Sequence, residues 1–234
     1  MKYLCFSLIV LCLFQVNGLC EELDLSQEHG EYLFKTLKLE YPHHFEILNK
    51  SGELVELKSD SKLGAYLISR LGQKYAGARI AWLNRPPRQG FKASMQRDPR
   101  LGIKELKLGE HYKDENSKPN VFWRTILFEM NNASQTEAFQ KLKLTTDCNI
   151  DDYIKKGVRV EYRTALLTHA QYDRYWKDFC AKNNILFEEA YYFPPGKTFD
   201  QCYENMQKSE AGMQFLKAYE EQYIKKQAWL KNKK

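Results

Sequence analysis

The chain has 234 residues, a formal charge of +6 at neutral pH, and 43% hydrophobic and 14% aromatic residues, enough to bury a core. The positive excess gives slight attraction to anionic surfaces and no commitment to nucleic acid, because the basic residues are dispersed except in the loop 85–100 and the lysine-rich end 225–234. No Gly-x-Ser-x-Gly elbow, phosphate-cradling glycine loop or dinucleotide fingerprint is present, which argues against the commonest hydrolases and nucleotide enzymes.

Residues 1–18 have the layout of a secretory signal peptide: Lys2, an apolar run from Tyr3 to Phe14, then Val16-Asn17-Gly18, with cleavage expected before Leu19. The run is shorter than the roughly 20 apolar residues a membrane span needs. A lipoprotein would acylate Cys20, but Leu19 stands where a small residue is wanted. The expectation is a secreted or periplasmic protein without a transmembrane segment, with residues 19–234 forming a single α+β globular domain.

Cys5 and Cys12 leave with the signal, so Cys20, Cys148, Cys180 and Cys202 remain. Four thiols in an exported chain allow three pairings. Cys180–Cys202 with Cys20–Cys148 is preferred, since Cys180 and Cys202 close helices around one loop; buried free thiols are the alternative. None of the four has CxxC spacing, so zinc-ribbon and thioredoxin-like readings find no support.

In chain order, Ser26 caps a helix to about Leu39 whose apolar face is Tyr32, Leu33, Leu37 and Leu39, and Tyr41-Pro42 ends it. The segments 45–48 and 53–57 alternate about a glycine-containing turn and read as a hairpin. Asp60 or Ser61 starts a helix through Lys74, and 78–83 is a short strand. Residues 84–100 form the longest irregular stretch, 101–108 returns as a strand, and 109–119 is a polar linker. Pro119 opens a helix to about Lys143, and Asn149 caps another through Cys180, with Asp151-Asp152 at the positive end of its dipole. Thr198 caps a last helical region through Trp229, with a break near Gly212. The fold class is therefore α+β: mostly helical, with a small antiparallel sheet and two long consecutive helices that the short turn makes antiparallel.

Each long helix carries a glutamate where its apolar stripe should continue, Glu129 in the first and Glu161 in the second, and His169 interrupts the second stripe again. A carboxylate on a buried face must be paired or have its pKa raised. Two that converge make an acid/base pair or half a metal site; two that meet arginines, with Arg124, Arg159 and Arg163 nearby, make structural ion pairs. If the helices are straight, Glu129 lies nearer the level of His169, and Glu161 one to two turns away. His43-His44, read as strand neighbours, point to opposite faces.

Phe128-Glu129-Met130-Asn131-Asn132 stands where a zincin-type metallopeptidase carries its His-Glu-x-x-His helix, and Glu161 follows one helix later, as the third ligand does in the glutamate-ligand branch. The stretch resembles that helix pair over roughly 101–175, with both motif histidines replaced, by Phe128 and Asn132. The resemblance implies a zincin-like scaffold without its ordinary zinc.

Binding candidates are the arginine loop, with Arg85, Arg88, Arg97 and Arg100 to clamp an anion, the aromatic loop with Tyr191 and Tyr192 as a sugar or peptide platform, and Asn131 and Asn132. Asn49-Lys50-Ser51 and Asn132-Ala133-Ser134 also match the N-glycosylation acceptor. The functional expectation is a non-catalytic binder of a protein, peptide or glycan with no cofactor. The alternative is a peptidase-like hydrolase using Glu129 as general base, Glu161 as second carboxylate, and His169, with zinc required only in that case.

Overall fold

The computed structural model describes residues 26–75, 77–83, 93–98, 103–135, 149–188, 193–194 and 196–232, the side chains of 95–98 excepted. The signal segment, Cys20, Arg85, Arg88, Arg100, Cys148, Tyr191, Tyr192 and the Arg97 side chain lie outside the described residues. The class is α+β and mostly helical, with two small sheets, and its contacts divide the chain into two compact units: residues 1–122 with 175–186, and 123–174 with 187–234.

In the first unit, helix α1 (26–40) and helix α2 (Lys62–Gly72) approach closely through glycines. A Cβ on Gly30 would stand 2.1 Å from the Ile68 carbonyl oxygen, and one on Gly72 would stand 1.8 Å from that of Ser26. No larger residue fits at either crossing point. Of the predicted α1 face, Leu33 and Leu37 are buried together with Phe34, whereas Tyr32 and Leu39 are 64% and 84% exposed. The stripe follows 33, 34, 37 and 41, nearer the 3.6-residue period than the predicted set. Ser61 caps α2, its Oγ accepting from Gly64 N at 3.0 Å.

Strands β1 (Glu46–Leu48) and β2 (Leu54–Glu56) form the expected hairpin, Ile47 opposite Val55, with Gly52 at φ 81° in its turn. The Asn49 Oδ1 accepts from Ser51 N and Glu53 N, an Asx turn that fixes the reversal. The second sheet has the order β3 (Arg79–Trp82), β5 (Ile103–Leu108), β4 (Ala93–Asp98), with β3 parallel and β4 antiparallel to β5. β4 lies inside the stretch expected to be irregular. Six residues pair with β5, so the ladder supplies the order that the Ser-, Gln- and Arg-containing segment lacks in its own periodicity. The core holds Tyr41, Phe45, Leu57, Leu67, Ile80, Leu106, Tyr112 and Phe122.

His43 and His44 occupy a 3-10 turn (Pro42–His44), not a strand, because Pro42 fixes the first position. Their rings therefore pack side by side, 4.0 Å between centroids, and do not point to opposite faces.

The second unit takes most of the two long helices, α3 (Pro119–Ser134) and α4 (Ile150–Lys182), with α5 (Phe199–Lys208) and α6 (Glu210–Lys231). Contacts from Arg124 to Asp173 and from Asn131 to Thr168 run in opposite chain directions, so α3 and α4 are antiparallel. Asn149 accepts from Asp151 N at 2.7 Å at the head of α4, and Thr198 with Gln201 forms a capping box on α5. The break expected near Gly212 falls at Ser209, whose Oγ caps α6 by accepting from Gly212 N. A side chain at 212 would strike the Met206 backbone at 2.3 Å, so glycine is required for the turn to close. Tyr153, Val158, Ala165, Phe199, Met206 and Tyr219 are the centre of this unit's core.

The expected Cys180–Cys202 bridge is absent: both thiols are free and buried. Cys180 packs in the first unit and Cys202 in the core cluster of the second, each serving as a small apolar side chain. Burial pushes the Cys180 thiol up to about 11 and raises that of Cys202 as well. Among the described residues no helix is long and apolar enough to cross a membrane.

Candidate functional site

Within the second unit the facing sides of α3 and α4 carry a ladder of polar pairs. Arg124 donates from Nη2 to Asp173 Oδ1 at 2.6 Å. His169 Nδ1 lies 3.5 Å from the other Asp173 oxygen, and its Nε2–H donates to the Phe193 carbonyl at 2.9 Å. Asn131 Nδ2 donates to Thr168 Oγ1 at 2.9 Å, and that hydroxyl donates to the Thr164 carbonyl. Asn132 Nδ2 donates to Glu161 Oε2 at 2.8 Å, while the Tyr219 hydroxyl donates to Glu161 Oε1 at 2.7 Å.

Among the described residues Glu161 is thus held by two neutral donors and not by an arginine or by a second carboxylate. Burial raises its pKa, and the Asn132 and Tyr219 hydrogen bonds pull the other way without cancelling the rise. Tyr219 is raised well above the ordinary phenol value, by burial first and then by the Glu161 charge it faces, with Glu129 contributing further. Glycine at 157, one turn before Glu161, makes this possible. A Cβ there would stand 2.4 Å from the Tyr219 ring, so the missing side chain is the seat in which that ring rests.

Of the residues singled out in the sequence, Glu161, Asn131, Asn132 and His169 stand on this ladder. The register set by Arg124–Asp173 and Asn131–Thr168 puts position 129 level with His169, while the Asn132–Glu161 contact is shifted toward the head of α4 and the Glu129 charge also acts on Tyr219, the partner of Glu161. The residues that place the His169 ring are Phe193 and Asp173. The Asn132 amide is committed to Glu161, whereas Asn49 sits half-exposed in the hairpin turn, donating to Glu53 at 3.0 Å. Sequence reasoning missed Asp173, although its spacing four residues after His169 was a usable signal. It missed Tyr219, which lies 58 residues from Glu161 and leaves no local trace. Zinc of the zincin motif does not fit: Phe128 has no donor atom, Asn132 spends its amide nitrogen on Glu161, and both Glu161 oxygens are engaged.

A second feature lies wholly in the first unit. A groove of about 610 Å³ runs between β2, the head of α2 and the last turns of α4. Leu54, Val55 and Glu56 form one wall and Tyr175, Phe179 and Lys182 the other, with Lys58 and Lys62 on the rim. Lys62 pairs with Asp178 at 3.1 Å, and Tyr66 stacks on Tyr175 at 4.2 Å, fixing the helical wall. Asn184, in the left-handed region at φ 54°, ends α4 and accepts from Lys50 N at 2.9 Å, tying the hairpin turn to the helix end. Compared with protein families, with curated proteins and with solved structures, the chain matches none.

Proposed function

We propose that this chain is an exported, non-catalytic binding domain that takes a protein or peptide partner in the groove between β2 and α4. The observation that carries the reading is the groove itself: an apolar lining with Leu54, Leu63 and Phe179, a cationic rim, and a volume inside the roughly 300–1,000 Å³ usual for ligand sites. The polar ladder supports it from the other side. Arg124 pairs with Asp173, and each Glu161 oxygen is taken up, by Asn132 and by Tyr219, which suits a scaffold-stabilising role. The zincin resemblance is then one of scaffold.

One observation favours a second reading, a hydrolase: the raised Glu161 carboxyl has the protonation behaviour of a general acid. Two assays on the purified chain separate them. The binding reading expects a defined partner captured from the extracellular medium of the source cells by wild type and Glu161→Gln alike, with no peptide cleavage. Hydrolysis of a peptide mixture that disappears in Glu161→Gln would replace it with the hydrolase.

A further inference from the structure

The binding reading leaves the occupant of the groove unnamed, and the strand that lines it specifies one. In the hairpin, Leu57 N bonds Phe45 O and Asn49 N bonds Glu53 O, so the residues that bond across to β1 are Glu53, Val55 and Leu57. The main-chain N–H and C=O of Leu54 and Glu56 therefore point away from β1. No other strand pairs with β2 among the described residues. Leu54, Val55 and Glu56 all line the groove in succession, whereas side chains of a strand alternate between faces; the groove thus runs along the strand's open edge.

The charges on the walls supply the second half. Lys38 neutralises Glu56, and Lys62 neutralises Asp178. The side-chain ammonium groups of Lys58 and Lys182, on opposite sides of the groove, make no ion pair or hydrogen bond among the described residues, which leaves two cationic groups to be met by a ligand.

We infer that the groove takes an extended acidic peptide segment of a partner protein, added to the open edge of β2 by main-chain hydrogen bonds and held by Lys58 and Lys182. This rests on the binding reading and deepens it. Three residues of β2 span about 10 Å, so roughly three or four ligand residues are read. Side chains on one face of that segment would meet the Leu54 and Phe179 surface, and carboxylates would reach the lysines.

The test is fluorescence anisotropy with labelled octapeptides of alternating threonine and valine carrying two glutamates, beside counterparts carrying two lysines. Two further acidic series are N-methylated at odd or at even positions. The expected result is binding of the acidic peptide that weakens about tenfold or more in Lys58→Glu/Lys182→Glu and with added salt. N-methylation of one parity should abolish it while the other parity is tolerated. Leu54→Pro, which deletes an outward N–H and no hairpin bond, should abolish it too, with circular dichroism showing the fold retained. Equal binding of the lysine peptide, indifference to N-methyl parity, or no binding of the acidic peptide overturns the inference. If the partner captured in the previous experiment still binds the double lysine variant undiminished, the acidic-edge inference fails and the binding reading stands. Capture of no partner at all would fail the binding reading itself.

Discussion

Each unit holds a titratable group packed against aromatic rings, the fully buried His44 in the first and the half-buried Glu161 in the second, and each is pushed toward its neutral form from the opposite side. His44 stacks on Phe122 with ring centroids 4.0 Å apart and planes 10° apart, and its Nε2–H donates to the Tyr112 carbonyl at 2.9 Å. Burial, followed by the neighbouring His43, pushes its pKa down to about 3, so the imidazole is neutral through the whole physiological range. Glu161 likewise makes hydrogen bonds suited to its charged form, from two donors, in a place where burial favours the neutral acid. In both groups burial and hydrogen bonding oppose each other: the Tyr112 carbonyl favours imidazolium, the Asn132 and Tyr219 donors favour carboxylate, and burial prevails each time, so the base is neutral and the acid is pushed toward neutrality.

The largest blow to this pattern is His44→Ala. Losing a fully buried ring that stacks on Phe122 and satisfies Tyr112 O should cost about 3 kcal/mol, read as a lower urea midpoint. The wild-type acid response should go with it. A histidine whose folded pKa lies below its unfolded value of 6.5 contributes stability above 6.5 that is lost as pH falls toward about 3, because the unfolded chain protonates first. A variant that keeps the wild-type midpoint would remove His44 from the core argument.

Next comes Gly157→Ala, whose methyl group would meet the Tyr219 ring. A cost of about 2 kcal/mol is expected, together with loss of the Tyr219–Glu161 bond. Tyr219→Phe, which keeps the ring, should cost about 1 kcal/mol by comparison. If Gly157→Ala is the milder of the two, the seat is not tight.

Smaller, and of the opposite sign to His44, is the effect of Glu161 on pH dependence. Its folded pKa is raised, so below the unfolded carboxylate value near about 4.3 both states are protonated and the contribution is whole. As pH rises, the unfolded chain releases its proton first and native stability declines until the folded pKa is passed. Glu161→Gln should remove that decline, so the stability of the variant relative to wild type rises between pH 4 and pH 8. Urea titrations at both pH values check it, and parallel curves would show that Glu161 titrates normally.

The least perturbing experiment leaves the fold alone. Cys180 and Cys202, buried with raised pKa values, should resist alkylation in the native protein at pH 8 and react on unfolding. Prompt native labelling of either would place it at the surface.

Much of the fold was legible because local chemistry wrote it. Ser61, Asn149 and Thr198 cap the helices they were expected to cap, and Gly52 marks the hairpin turn. β4 was illegible because its order comes from six pairings with β5 and not from its own alternation. For the candidate site, Glu161 and His169 announced themselves as polar breaks in an apolar stripe. Their partners did not: Tyr219 and Phe193 reach them across sequence separations of 58 and 24 residues, which no helical period encodes. The cysteine pairing failed for a related reason. Nearness to one loop in sequence was taken for nearness in space, but the two thiols pack in different units.

The first unit is assembled from residues 1–122 and, after an interval, 175–186. A chain emerging from the ribosome at about 5–20 residues per second therefore presents the β2 edge several seconds before the Tyr175–Lys182 wall that faces it. During that interval the strand edge has no facing wall, beside Leu48 and Leu54, which pair across the hairpin and are solvent-exposed even in the complete fold. The nascent polypeptide thus has a window in which this edge is an aggregation hazard, and the late arrival of the facing wall and of the Asn184–Lys50 tie confines the open edge to a groove. Truncations ending before residue 184 should for that reason accumulate as insoluble product, whatever the fate of the helices behind them.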